Sequence, residues 1–138
     1  ARNATDDWYW AIDNVLLTGE FADLGGILFR EDFESLAGSL APVVANSSHD
    51  ITGNAVTGTP STGWTLDNSN YGSPSGCVSF DGWNFWDLLT WQSSLMDDRE
   101  MFHRGRGVVA LVDSDQYDNC GSTELMHTIL TSPAIDMR

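Results

Sequence analysis

The sequence predicts an all-β protein, an antiparallel β-sandwich of the jelly-roll kind. Three observations carry that prediction. Apolar residues fall in short runs rich in Val, Ile, Thr, Phe and Trp, separated by Gly, Pro, Asn, Asp and Ser. The long amphipathic helices that an α/β fold repeats between its strands have no counterpart in the pattern. Val108-Val109-Ala110-Leu111-Val112 is a continuous apolar run, as expected of a strand covered on both faces.

The predicted strands follow in order at residues 8–18, 26–33, 51–57, 63–67, 76–80, 107–113 and 124–132. In the last run, Met126, Thr128 and Leu130 alternate with His127, Ile129 and Thr131, so its two faces differ. Residues 36–62 are rich in Ser, Thr, Gly and Asn and read as long surface loops around one weak strand. Only the window 85–101 has helical spacing, through Leu88, Leu89, Trp91, Gln92 and Leu95. Many short strands with turn signals between them fit a sandwich.

The 138 residues suit one domain, or one domain with a fragment of another. Six tryptophans and 11% aromatic residues are too many for a disordered chain. Against 20 Asp and Glu stand six cations, all arginine, for a net charge of −14. Fifteen of the acids are aspartate, and lysine is absent. This balance excludes general binding to the phosphate backbone of nucleic acids and to anionic membrane surfaces, both of which need clustered cations. It suits hard cations, or a saline setting that screens repulsion. No apolar stretch approaches the roughly 20 residues that span a bilayer. The start lacks the basic-then-apolar pattern of a signal peptide and reads as processed or excised.

Cys77 and Cys120 lack the short spacing of a metal site. Two readings stand: a disulfide, which implies an oxidising and hence extracellular compartment, or two buried thiols. The sequons Asn3-Ala4-Thr5 and Asn46-Ser47-Ser48 would accept glycans in a secretory pathway.

Two clusters carry candidate chemistry on their own. Asp113, Asp115 and Asp118, with Glu124 beyond, echo the start and end of an EF-hand loop. The centre of the echo fails, with Tyr117 and Asp118 where a ligand and a glycine belong. The remaining readings are a Ca²⁺ loop of another kind at a strand end, or an acidic turn. Trp83, Phe85, Trp86 and Trp91, beside Asp81, offer either a sugar-stacking platform, a protein interface or plain core. His49, His103 and His127 share no metal spacing. No GxSxG, HExxH or phosphate loop is found in the sequence, and the expected function is non-catalytic. Arg99, Arg104 and Arg106 form the one cationic stretch. They would pair with Asp97, Asp98 and Glu100 or dock an acidic partner.

Three phrases carry a resemblance. They are Asp7-Trp8-Tyr9-Trp10-Ala11-Ile12-Asp13-Asn14-Val15, then Glu31-Asp32-Phe33-Glu34 with Gly63-Trp64-Thr65, and Leu130-Thr131-Ser132-Pro133-Ala134-Ile135-Asp136. Together they resemble the MAM-like and choice-of-anchor jelly-roll modules of secreted bacterial proteins. In that family the phrase like residues 31–34 opens the module and the phrase like residues 7–15 closes it. Here the order is reversed. The resemblance therefore implies a sandwich incomplete in this chain alone. Residues 1–19 would be the terminal strand of its own or a neighbouring module, and residues 20–138 the first part of a module.

Two arrangements fit this order: a cut from a tandem array, or strand exchange with another chain. Either way residues 9–18 need a partner strand. One candidate is residues 27–34, as a hairpin in the same chain. The resemblance also implies a structural Ca²⁺ held by Asp13 and Glu34, with Asp32 as a further ligand. The expected partners are other copies of the module. The expected role is binding, adhesion or assembly in a repetitive secreted protein or fibre. The alternative is a carbohydrate-binding module appended to a secreted hydrolase.

Overall fold

The protein was analysed as a computed structural model, which describes residues 9–19, 26–44, 51–71, 75–93, 99, 102–122 and 125–136. The sequons at Asn3 and Asn46, His49, the acids Asp97, Asp98 and Glu100, and Glu124 lie outside the described residues.

The described strands are β1 (Tyr9–Ile12), β2 (Val15–Gly19), β3 (Gly26–Glu31), β4 (Ala41–Pro42), β5 (Asn54–Thr57), β6 (Thr65–Tyr71), β7 (Asn84–Asp87), β8 (Val108–Asp113) and β9 (Met126–Thr131). Two short helices, α1 (Leu88–Gln92) and α2 (Ser114–Asn119), each follow a strand directly. The chain is mostly β, as the sequence predicts. A five-stranded sheet runs β1-β8-β7-β5-β4, and β2-β3 and β6-β9 form two-stranded ladders. All of these pairings are antiparallel.

β8 explains why the large sheet is buried on both faces. Side chains alternate along a strand. Val109 and Leu111 therefore join one core cluster with Trp86, Leu88, Trp91, Phe80 and Val56. Val108 and Ala110 join the other with Phe33, Trp64, Trp83 and Phe85. Val15 and Phe29 pack on that second cluster, and so do Leu66 and Leu130. Both two-stranded ladders thus cover the same face of the five-stranded sheet.

The predicted first strand is two strands. β1 pairs with β8, from Tyr9↔Asp113 to Ile12↔Ala110. β2 pairs with β3, from Val15↔Glu31 to Gly19↔Gly26. Between them Asn14 adopts a left-handed conformation, φ 53°, which Asn tolerates better than most residues. The chain passes there from the large sheet to the ladder. The hairpin expected between residues 9–18 and 27–34 is this β2–β3 pairing, so both halves of the segment have strand partners within the chain.

Three local expectations are corrected. Residues 76–80 do not form a strand; Val78–Phe80 is a 3-10 turn. The chain is held there by the Cys77–Cys120 disulfide and by the Gly76 N–H donating to the Cys120 carbonyl at 2.8 Å. In the window 85–101 only Leu88–Gln92 is α-helical among the described residues, and Arg99 lies in a 3-10 turn. Phe85 and Trp86 belong instead to β7, in register with Ala110 and Val109 of β8, so tertiary pairing overrides the helical spacing. Asp87 then starts α1, its Oδ1 accepting from the Thr90 N–H at 2.9 Å. The 36–62 region holds more order than expected: a 3-10 helix at Glu34–Ser39, then β4 and β5. No helix among the described residues is long and apolar enough to cross a membrane.

Candidate functional site

Asp13 and Glu34 lie at the two ends of the β2–β3 ladder's base, each beside a residue with positive φ. Asp13 precedes Asn14, and Glu34 follows Phe33 at φ 57°. These kinks turn both acids toward the chain entering β8. The Asp13 Oδ2 accepts from the Arg106 N–H at 3.0 Å. The Glu34 Oε1 accepts from the Val108 N–H at 3.1 Å. Gly107 stands between those two donors, itself at φ 57°. A Cβ there would overlap the Glu34 carboxylate. Glycine is thus needed twice, for its conformation and for the close approach. The Gly107 carbonyl in turn accepts from the Leu88 N–H at 2.9 Å.

Two carboxylates far apart in sequence therefore converge on one backbone turn. The Asp13 Oδ1 is buried and has no hydrogen-bond partner. A buried carboxylate oxygen left unpaired is costly, and a cation is one way to satisfy it.

Asp32 does not join the pair. Its Oδ1 accepts from the Glu34 N–H at 3.2 Å, and its Oδ2 pairs with Arg30 at 3.4 Å. It holds the turn that aims Glu34. The neighbouring Glu31 does similar work, its Oε1 accepting from the Phe33 N–H at 2.7 Å. Among the described residues no three acidic, His or Cys side chains gather at one point. A Ca²⁺ at Asp13 and Glu34 would therefore draw its remaining oxygens from backbone carbonyls or water, both ordinary Ca²⁺ ligands.

The acidic stretch 113–118 forms a capped helix. Asp113 is the N-cap of α2, its Oδ1 accepting from the Gln116 N–H at 2.9 Å. Its Oδ2 accepts from the Trp91 Nε1–H at 2.9 Å and from Arg99 at 2.7 Å. Both oxygens are thus engaged by protein donors. The Asp115 carboxylate accepts from the Asn119 side chain at 3.1 Å, and Asp118 is exposed. The spacing that echoed an ion loop reflects helix capping, for which Asp is equally suited.

The aromatic cluster is core. Trp86 and Trp91 are 1% and 0% exposed, and Trp83 is 9% exposed. Phe80 stacks on Trp86 with ring centroids 4.8 Å apart. Asp81 is buried too, its Oδ1 accepting from the Ser75 N–H at 2.7 Å. No face of Trp86 or Trp91 is open to stack on a sugar.

Sequence reasoning missed Gly107 and the burial of Arg99. A Gly between Arg106 and an apolar strand gives no local sign of a close approach from residues 13 and 34. Comparison with protein-family models, with curated proteins and with solved structures finds no match to the chain.

Proposed function

We propose that this chain is a non-catalytic extracellular β-sandwich module, stabilised by a divalent cation, that serves binding or assembly within a larger secreted protein. The reading places it with the MAM-like and choice-of-anchor jelly rolls. The two ladders over one face of an antiparallel sheet support the sandwich. The disulfide fits an oxidising compartment. The observation that carries the cation is the convergence of Asp13 and Glu34 on residues 106–108, with one buried Asp13 oxygen unpartnered.

In this role the ion ties the crossover after β1 to the turn before the Glu34–Ser39 helix and, through residues 106–108, to the central strand. Ca²⁺ supplies the charge neutralisation, and Asp13 and Glu34 position it. Other copies of the module are the proposed assembly partners. The carbohydrate-binding alternative loses its platform with the burial of Trp83, Trp86 and Trp91.

Thermal unfolding tests the cation. Millimolar Ca²⁺ raises the melting temperature relative to excess chelator, because an ion bound only by the folded state stabilises it. Asp13→Asn removes that difference. An identical melting temperature in Ca²⁺ and chelator sinks the proposal.

A further inference from the structure

Residues 105–107 of the same turn also line an open cavity. It has a volume of about 360 Å³ and is lined by Leu88, Leu89, Gln92, Phe102, His103 and Arg106, with Gly105 and Gly107 in its wall. That volume lies in the range of small-molecule sites, roughly 300–1,000 Å³. Its lining divides by chemistry. Leu88, Leu89 and Phe102 supply an apolar wall, and Leu89 is 75% exposed at the surface. His103 and Arg106 supply the polar rim.

The charge at this rim is unusual for the molecule. In a chain of net charge −14, His103, Arg104 and Arg106 fall within four residues. Among the described residues, neither Arg104 nor Arg106 pairs with a carboxylate; the ion pairs are Arg30–Asp32 and Arg99–Asp113. Asp13 approaches Arg106 only at its backbone N–H. Arg106 thus lines the cavity without an ion-pair partner among the described residues.

The wall is also fixed in place. Gln92 donates to the Arg99 and Phe102 carbonyls at 3.1 and 2.8 Å. A Cβ on Gly105 would press on Leu88 and Phe102, each 2.8 Å away. The Gly107 carbonyl is tied to Leu88. A cavity with tethered walls loses little freedom when filled.

The geometry points to a binding site for a small monocarboxylate with an apolar body, its carboxylate on Arg106 and its hydrocarbon part against Leu88, Leu89 and Phe102. Guanidinium recognises carboxylate through paired, charge-assisted hydrogen bonds. The apolar wall selects against inorganic anions, which bring nothing to bury. The size of the cavity favours a small molecule over a protein segment. This site differs from the proposed cation site in its lining, which includes neither Asp13 nor Glu34.

The test is an NMR titration of the full chain with phenylacetate and with its neutral counterpart, phenylacetamide. Saturable shifts are expected at the amides of Leu89, His103, Arg106 and Gly107, with phenylacetate binding at least ~10-fold more tightly. Arg106→Gln weakens phenylacetate by ~10-fold or more and leaves phenylacetamide unchanged. That variant keeps the backbone N–H that Asp13 accepts, and an unchanged melting temperature verifies its fold. Arg104→Gln, outside the cavity, retains full binding. Equal affinity for acid and amide overturns the proposal. So do shifts centred elsewhere, or no saturation by ~10 mM ligand. The titration is run in Ca²⁺ and in chelator, so failure of the cation site and failure of this cavity are read separately.

Discussion

The Arg99 guanidinium meets the Asp113 carboxylate at 2.7 Å, with both side chains only 1% exposed. Trp91 completes the group: its indole N–H donates to the same carboxylate oxygen, and the guanidinium carbon lies 5.0 Å from its ring centroid. Asp113 also caps α2. One carboxylate therefore joins the end of the central strand, α1, α2 and Arg99.

Breaking that pair from one side leaves a buried charge without compensation. Asp113→Ala is expected to cost ~3–5 kcal/mol in denaturant unfolding. The double variant Arg99→Met with Asp113→Leu costs far less than the two single changes added together, since it removes both charges. Additive losses would mean that the two residues act independently.

Gly107→Ala combines a left-handed conformation with an overlap onto Glu34. We expect a loss of ~1–3 kcal/mol. Shortening Glu34 to Ala relieves the overlap but not the conformation. The pair should therefore be sub-additive in a double-mutant cycle by equilibrium unfolding.

The disulfide links residues 43 apart in the chain, Cys77 and Cys120. Its reduction is expected to remove ~4 kcal/mol of stability, through the restored entropy of the unfolded chain. Denaturant midpoints with and without reductant measure this. Gly76, hydrogen-bonded to Cys120, should be among the first amides to lose exchange protection.

On the exposed β6–β9 ladder, Asp67 is held below the usual aspartate range. The Ser69 hydroxyl and the Ser69 N–H both donate to its carboxylate, and His127 adds a smaller attraction. A folded pKa below the unfolded one contributes stability above the unfolded value and loses it as pH falls through the folded value. Ser69→Ala should move the Asp67 carboxyl back up in an NMR pH titration. That variant keeps the Ser69 N–H bond, so the return should be only partial.

Much of the strand content was legible because local pattern fixes it. The run at 108–112 announced a doubly covered strand, and β8 is one. The alternation at 126–131 announced a two-faced strand, and β9 is one. Elsewhere local signals were ambiguous. Phe85 and Trp86 have helical spacing with Leu89, yet pairing with β8 makes them strand. Asp113 and Asp115 suit an ion loop and a helix cap equally, and only the presence of Arg99 and Trp91 at Asp113 decides between them.

The candidate site divides the same way. That Asp13 and Glu34 belong together came from motif resemblance, not from anything local to either residue. Their convergence on Gly107 depends on Asn14 and Phe33 turning left-handed and on β8 lying beside β1. By itself the sequence determined that this is a β-rich chain, rich in aromatic residues and strongly acidic, because periodicity and composition act over a few neighbouring residues. Only the tertiary structure decided which acids are buried, which tryptophans are covered and which arginines remain open. Those outcomes depend on contacts between residues far apart in the chain, whose energies no short window of sequence contains.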